Sequence, residues 1–237
     1  MITLALDTSE SRGSVAVRRD GRTVAVRLHG GTADYSSWLL GAVEDTLREA
    51  VATMPSVQLL AVSTGPGSFT GVRVGLVTVK AWAEVYGTRV VGVSRLESMV
   101  RVGERSGLVA VSYDAQRGQI FGGLYRWVEG TMKAVENEVV TAPGAFVAFV
   151  EEYAGADKVQ WVSLDPQLLI SAENWAIGER PGDRLIACPA NVASLIGDLA
   201  EERARRDEFT DVLELDANYV RRSDAEIFWK GPASGVR

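Results

Sequence analysis

A glycine-rich turn at residues 65–75 constrains the fold of this 237-residue chain more than any other stretch. It follows the apolar run 57–62, which is typical of a buried strand, and it precedes a helical pattern. Gly65 and Gly67 allow positive φ angles and Pro66 fixes its own φ, so the backbone can turn sharply between strand and helix. Such a turn either cradles an anion at the first N–H groups of the helix or simply packs the helix close to its sheet. The spacing alone leaves both interpretations open.

The turn matches neither of the common nucleotide-binding motifs. G-x-x-x-x-G-K-[ST] requires a lysine directly after its last glycine, and here Val72 follows Gly71. G-x-G-x-x-G fits Gly65 and Gly67, but Thr70 stands where the third glycine belongs. The turn is therefore a signature of another kind.

Composition and charge exclude several classes of protein. The chain is 46% hydrophobic and 24% charged, which is ordinary for a globular protein, and no apolar run approaches the roughly 18 residues of a spanning helix. The first residues lack a basic n-region, and a single cysteine, Cys188, fits a reducing cytoplasm without a disulfide. A net charge of −6 argues against a chain that grips nucleic acid by itself. The basic clusters at 203–206 and 221–222 are more typical of solvated surface.

Hydrophobic periodicity predicts an α/β protein built from two similar halves. Each half opens with a strand that ends in an aspartate, Asp7 or Asp114, and continues with two strands and a helix, which indicates a duplicated fold. We expect an N-terminal lobe at 1–104, completed by the helix at about 191–206, a C-terminal lobe at 105–190 and a tail at 207–237. The predicted strands lie at 2–7, 13–19, 23–28, 57–62, 89–93, 108–113, 119–127, 131–141, 159–164 and 184–187, and the predicted helices at 35–52, 71–86, 94–104, 143–153, 166–171 and 191–206.

Candidate catalytic groups are few. His29 is the only histidine and has no serine or cysteine motif around it, so it is more typical of a surface or loop side chain than of a catalytic triad. With one histidine and one cysteine the chain lacks the known zinc motifs. A carboxylate site for Mg²⁺ at Asp7 and Asp114 remains open.

These two aspartates resemble those of two-lobed actin-like ATPases, in which a glycine-bearing hairpin after each aspartate holds phosphates and a hydrated metal. Here Asp7 is followed by Thr8, Ser9 and Glu10, and the Glu10 carboxylate would lie where phosphate charge belongs. The loop after Asp114 lacks the small, glycine-rich backbone that lets amides approach phosphates. Asp7, Thr8, Ser9 and Asp114 therefore predict a degenerate nucleotide site, with no cofactor and no metal. An active nucleotide-dependent enzyme, such as a small kinase or ATPase, remains the alternative hypothesis.

The helix after the glycine turn is apolar on two opposite faces, and such a helix must bury both. One face can pack on the sheet of its own lobe. The other needs either the helix at 35–52 or a second protein. The first face comprises Val72, Leu76, Val79, Ala83 and Tyr86, and the second comprises Val74, Val77, Ala81 and Val85.

The signature closely resembles that of the bacterial TsaB proteins, also called YeaZ. The resemblance extends to the opening residues 2–9 and to three further motifs. It implies a two-lobed actin-like, ribonuclease-H-like fold in which each lobe is a mixed sheet with flanking helices. The residues that carry it are Gly65-Pro66-Gly67-Ser68-Phe69-Thr70-Gly71-Val72-Arg73-Val74-Gly75, Ser94-Arg95-Leu96-Glu97, Asp114-Ala115-Gln116-Arg117 and Asn218-Tyr219-Val220-Arg221.

The resemblance also implies a function. It indicates a noncatalytic scaffold subunit of the bacterial complex that adds threonylcarbamoyl to the adenosine beside the anticodon of tRNA. In that family a TsaD-type subunit carries the transfer chemistry, a TsaE-type subunit is an ATPase, and the TsaB-type subunit forms a heterodimer with TsaD or a homodimer when alone. We expect tRNA to be reached only through the complex, and no membrane to be involved.

In that family the helices of the N-terminal lobe make the contacts between subunits. TsaD-type relatives carry a paired-histidine metal motif that a chain with one histidine cannot have, and a protease has no metal motif or triad to support it here. The residues expected to bind the partner are Trp38, Val74, Val77, Lys80, Ala81 and Val85, and those of the signature loop are Gly65, Pro66, Gly67, Ser68, Phe69, Thr70, Gly71 and Arg73.

Overall fold

The computed structural model describes residues 1–31, 34–175 and 180–220. The cluster at 221–222 and the end of the predicted tail lie outside these residues. The strands are β1 (Ile2–Asp7), β2 (Ser14–Arg19), β3 (Arg22–Leu28), β4 (Leu59–Ser63), β5 (Arg89–Val93), β6 (Leu108–Gln116), β7 (Gln119–Val128), β8 (Thr131–Ala134), β9 (Val139–Thr141), β10 (Val159–Ser163) and β11 (Arg184–Ala187). The helices are α1 (Tyr35–Glu49), α2 (Phe69–Tyr86), α3 (Arg95–Met99), α4 (Pro143–Ala154), α5 (Pro166–Ile170) and α6 (Val192–Arg205).

Two mixed sheets share one strand order, which confirms the predicted α/β class and the duplication. The first sheet runs β3-β2-β1-β4-β5 and the second runs β8-β7-β6-β10-β11, with β9 added on β7. In each sheet the opening strand pairs antiparallel with the strand after it and parallel with a later strand. Asp7 and Asp114 consequently occupy equivalent places near the ends of β1 and β6.

Two predicted elements are interrupted in the structure, and the bounds of the others differ by up to three residues. The predicted strand 131–141 is two strands, because Glu138 leaves the sheet to accept hydrogen bonds from the hydroxyls of Ser94 and Tyr125. The predicted helix 94–104 ends as α-helix at residue 99 and continues as a single 3-10 turn.

Helix α6 returns from the second half of the chain to pack on the first sheet. Its residues Ile196 and Ala200 are fully buried, and Gly197 lets it approach closely, because an added Cβ would lie 3.2 Å from the Cβ of Ala5. Arg18 of β2 fastens the helix through an ion pair with Glu201, 3.2 Å from Nε to Oε1. The apolar core beneath α3 and α6 is continuous from the first sheet to the second.

The glycine turn brings α2 against the loop that follows β1. A Cβ added at Gly71 would lie 2.2 Å from the carbonyl oxygen of Thr8, and one at Gly75 would lie 2.5 Å from the Thr8 hydroxyl oxygen. That hydroxyl donates a hydrogen bond to the Gly71 carbonyl at 2.7 Å. Ser68 caps the helix, since its Oγ accepts from the Gly71 N–H at 3.3 Å. The turn therefore sets how closely helix and loop can approach.

The two apolar faces of α2 have different surroundings. Val72, Leu76 and related residues are buried against the sheet, as one predicted face requires. Tyr86 was assigned to that face but is 43% exposed, because the left-handed Gly87 ends the helix there. On the opposite face α1 covers part of α2, but Val77 remains 65% exposed. Packing on α1 thus leaves much of the second face open among the described residues.

We predict that Gly71→Ala destabilises the fold by about 1–3 kcal/mol, because the new methyl group overlaps the Thr8 carbonyl. Gly41→Ala is the matched control, since Gly41 lies on exposed α1 and an added Cβ has nothing within 4 Å. This control should be neutral or stabilising by up to about 1 kcal/mol, the helix propensity gained over glycine. Urea denaturation of both variants measures the difference, and equal effects would contradict the close approach.

Candidate functional site

A cavity of about 860 Å³ lies between the lobes, at the ends of β1 and β6. The loop after β1 supplies Ser9 and Glu10, the glycine turn supplies Gly67 and Ser68, and Asp114 lines it from the second lobe. This is the place where the sequence predicts a degenerate nucleotide site. Whether phosphates can bind in this cavity depends on which groups its carboxylates and amides already contact.

Asp7 is committed to an internal ion pair and is not among the residues that line the cavity. Its side chain is fully buried, and its Oδ2 accepts a hydrogen bond from Nε of the fully buried Arg95 at 2.9 Å. Its Oδ1 accepts from the Ser9 N–H at 3.0 Å. Both carboxylate oxygens are therefore held by the protein, and their charge is balanced by a guanidinium.

Arg95 links this pair to the glycine turn and to the second lobe. Its backbone N–H donates to the Gly65 carbonyl at 2.7 Å, and its guanidinium carbon lies 4.4 Å from the ring centroid of Tyr113 on β6. The Tyr113 hydroxyl donates to the Pro66 carbonyl at 2.6 Å. Burial alone would lower the pKa of Arg95, but the carboxylates of Asp7 and Glu10 outweigh it and raise that pKa above its ordinary value. Burial raises the pKa of Tyr113 in turn.

The sequence motif Ser94-Arg95-Leu96-Glu97 contains Arg95 but indicates no role for it. The position of Arg95 in the sequence was one indication of burial. Arg95 follows a buried strand and a serine N-cap directly, and the chain lies in the core at that point. Buried arginines need a charged partner. The partner could not be identified without the topology that places β4 between β1 and β5.

Asp114 and Asp7 have different hydrogen-bond partners, although the sequence predicted both for one site. The carboxylate oxygens of Asp114 accept from the backbone and side-chain N–H groups of Gln116, both at 2.7 Å, and the Asp114 N–H donates to Asp165 at 2.8 Å. Within residues 1–31, 34–175 and 180–220, no group of three or more His, Cys, Asp or Glu side chains is arranged to hold a metal ion.

The amides of the glycine turn are partly used inside the protein. The Ser68 N–H donates to the Ser9 carbonyl at 2.6 Å, and the N–H groups of Gly65 and Gly71 donate to the hydroxyls of Ser63 and Ser68. A phosphate would have to compete with these bonds and with the Glu10 carboxylate in the cavity lining. The residues present therefore do not fit a nucleotide phosphate.

His29 lies in the loop after β3, as one of the two predicted placements has it, but it is buried and not on the surface. It is 8% exposed and stacks on Tyr35, with ring centroids 4.4 Å apart, and it meets the edge of Trp38 at 4.9 Å. Its Nδ1 lies 2.8 Å from the Ser11 carbonyl oxygen. Burial raises the pKa of Tyr35, whose hydroxyl donates to the Glu10 carbonyl. This aromatic cluster fixes the start of α1 against the loop after β1.

A second concave surface lies between α1 and α2, and we call it the α1–α2 groove. It encloses about 550 Å³, and its lining includes Leu39, Leu40, Phe69, Val74 and Val77. Leu40 is 60% exposed and Phe69 is 41% exposed. No described helix is long and apolar enough to cross a lipid bilayer.

Of the six predicted partner-binding residues, only Val74 and Val77 line this groove. Val77, Ala81 and Val85 are exposed, whereas Trp38, Val74 and Lys80 are partly buried. The sequence did not indicate Leu40 as a contact, and it placed Phe69 in the signature loop before the predicted helix, whereas α2 begins at Phe69. The assignment of the six residues to partner binding stays a prediction.

The signature loop also reaches the C-terminal segment. Arg73 stacks on Phe69, with its guanidinium carbon 3.6 Å from the ring centroid, and its Nε donates to the Tyr219 hydroxyl at 2.9 Å. Asn218 donates its N–H to the Thr64 carbonyl at 2.7 Å. The last described residues thus fasten the start of α2.

We predict that Asp7→Asn and Arg95→Met each destabilise the fold by about 3–5 kcal/mol, because each leaves one buried charge without its partner. The double variant should cost much less than the sum of the two, since it leaves no uncompensated charge. Urea denaturation of the four proteins in the cycle measures this coupling.

Glu44→Gln on the surface of α1 is the control for that cycle. It breaks an exposed pair with Arg48, 3.1 Å from Nη2 to Oε1, and should cost no more than about 0.5 kcal/mol. Additive costs for Asp7 and Arg95 would contradict a coupled buried pair.

Comparison with known proteins supports the resemblance seen in the sequence. Residues 31–166 match the model of the family "TsaD: tRNA N6-adenosine threonylcarbamoyltransferase". The chain is 31% identical to the tRNA threonylcarbamoyladenosine biosynthesis protein TsaB of Bacillus subtilis over 57% of this chain and 59% of that protein. It is 29% identical to the Escherichia coli protein of the same name over 69% of this chain and 71% of that protein.

Solved structures agree with these relatives. YeaZ from Pseudomonas aeruginosa superposes with a TM-score of 0.66 at 26% identity, over 92% of this chain and 99% of that one. An ROK hexokinase from Thermus thermophilus, at 12% identity and a TM-score of 0.52 over 87% of this chain and all of that one, shares the fold alone. The predicted two-lobed actin-like architecture is confirmed. The matching family model is named for TsaD, whereas these relatives are TsaB and YeaZ proteins. The chain belongs to the family of the TsaB (YeaZ) proteins.

Proposed function

We propose that this chain is a noncatalytic subunit of a complex that makes threonylcarbamoyladenosine in tRNA, and that it docks on a TsaD-type subunit. The names of the Bacillus and Escherichia relatives support the pathway. The match to the TsaD family model supports a partner of the same fold. The matched stretch spans 59% of the Bacillus relative. The activity and the partners of that relative are therefore proposed for this chain.

The observation that carries the proposal is the open apolar face of α2. Val77 is 65% exposed and Val85 is 72% exposed on a helix whose other face packs against the sheet. Leu40 of α1 extends the surface. An apolar patch of this kind between two exposed helices is typical of a protein interface. The face is therefore the proposed contact with the TsaD-type subunit, and a homodimer through it is the proposed state of the chain alone.

The proposed lack of catalysis rests on the cleft. Asp7 is neutralised by Arg95, and the N–H groups of Gly65, Ser68 and Gly71 in the glycine turn bind protein oxygens. The transfer chemistry then belongs to the TsaD-type subunit, and a TsaE-type ATPase completes the complex. With a net charge of −6 this chain reaches tRNA only through its partners, in the cytoplasm.

We predict that Val77→Glu and Ala81→Glu each weaken binding to the TsaD-type subunit of the same organism by about 30-fold or more. Each variant buries a charge without a partner at the proposed contact. Isothermal titration with purified subunits measures the affinity.

Val128→Glu is the matched control for these variants. Val128 ends β7 in the second lobe and is 39% exposed, so the same substitution should change the affinity less than about twofold. Full affinity in both α2 variants would show that this face is not the contact, and no binding by the wild type would overturn the proposed function.

A further inference from the structure

The cavity between the lobes and the α1–α2 groove form one continuous surface. Tyr35, Ser36, Thr70 and Val74 line both of them. The start of α1 and the start of α2 therefore make a shared rim. A partner that fills the groove must also cover the mouth of the cavity.

Three carboxylate side chains belong to the lining of the cavity. Glu10, Asp34 and Asp114 line it, and no lysine or arginine is among its described lining residues. Glu10 is paired with Arg12, 2.7 Å from Oε1 to Nε. Asp34 has no ion pair in the described chain, and Asp114 accepts its hydrogen bonds from the uncharged Gln116. Two carboxylates thus lack a compensating cation of their own.

We propose that the occupant of the groove is a helix of the partner protein that carries a lysine or arginine at the end entering the cavity. This inference rests on the proposed function, because the groove is the proposed docking face. The apolar lining at Leu39, Leu40 and Val77 fits the i, i+3, i+4 stripe of an amphipathic helix.

The cation follows from the cost of covering the cavity. A neutral or acidic helix end would take the charges of Asp34 and Asp114 out of water without a cation beside them, which costs free energy, whereas a basic side chain compensates them. Tyr35 and Phe121 add aromatic rings to the lining, and such rings favour a cation nearby.

Charge also distinguishes a basic partner helix from a second copy of the chain as the occupant of the groove. Each copy has a net charge of −6, so two copies repel at low ionic strength and added salt should strengthen their association. A partner helix that places a cation in the acidic cavity has the opposite dependence, because salt screens the attraction. The sign of the salt effect therefore identifies the occupant.

The test is isothermal titration with the TsaD-type subunit of the same organism at about 50 mM and about 500 mM NaCl. We compare the wild type with Asp34→Asn/Asp114→Asn, in which asparagine keeps the size of each side chain. The matched control is Glu129→Gln/Glu152→Gln, which removes the same charge from two exposed side chains of the second lobe. Asp34→Asn alone, an exposed position, serves if the double variant fails to fold.

We expect wild-type affinity to fall with salt. The double variant should bind about fivefold more weakly than the wild type at low salt, the difference should shrink below about twofold at high salt, and the control should stay within about twofold at both. Asp34→Asn alone should show part of the same loss at low salt. Equal losses in variant and control, unchanged affinity in the Asp34 and Asp114 variants, or wild-type binding that strengthens with salt would overturn the inference while leaving the proposed function standing. No binding by the wild type would overturn both.

Discussion

The buried ion pair between Asp7 and Arg95 holds together the parts of the molecule that meet at the cleft. Asp7 ends β1, Arg95 begins α3, and the guanidinium rests on Tyr113 of the second lobe. The Arg95 and Tyr113 bonds to the carbonyls of Gly65 and Pro66 bring in the glycine turn. The charge of the Asp7 carboxylate is thus balanced by a side chain of the same protein, and that side chain also contacts the second sheet.

The same turn that receives these hydrogen bonds also determines the outer surface. Gly71 and Gly75 let α2 lie against Thr8, which commits one face of the helix to the sheet and loop. The opposite face then has only α1 beside it, and Val77 stays exposed. The packing of α2 against the loop after β1 and the open face of α2 therefore both follow from the close approach of this helix to Thr8. Both support a subunit that works through contact and leaves the chemistry to its partner.

Much of this architecture could be predicted from the sequence, because strand and helix periods were clear and both lobes open on an aspartate. The signature identified the family, and the double apolar character of α2 pointed to its surface. The partner of Arg95 could not be predicted, since it depends on strands distant in sequence. The break in the strand at 131–141 was hidden because Glu138 leaves the sheet for hydrogen bonds to Ser94 and Tyr125. The burial of His29 depended on two rings of the next helix.

Hydrogen exchange of the chain, free and bound to the TsaD-type subunit, tests the central claim most directly. Amides that lie beneath a docking surface exchange more slowly in the complex. Docking through the open face of α2 should add protection in α1 and α2 and leave exchange in α4 of the second lobe unchanged. A complex that forms with protection confined to α4 and α5, and with α2 exchanging as in the free chain, would contradict it.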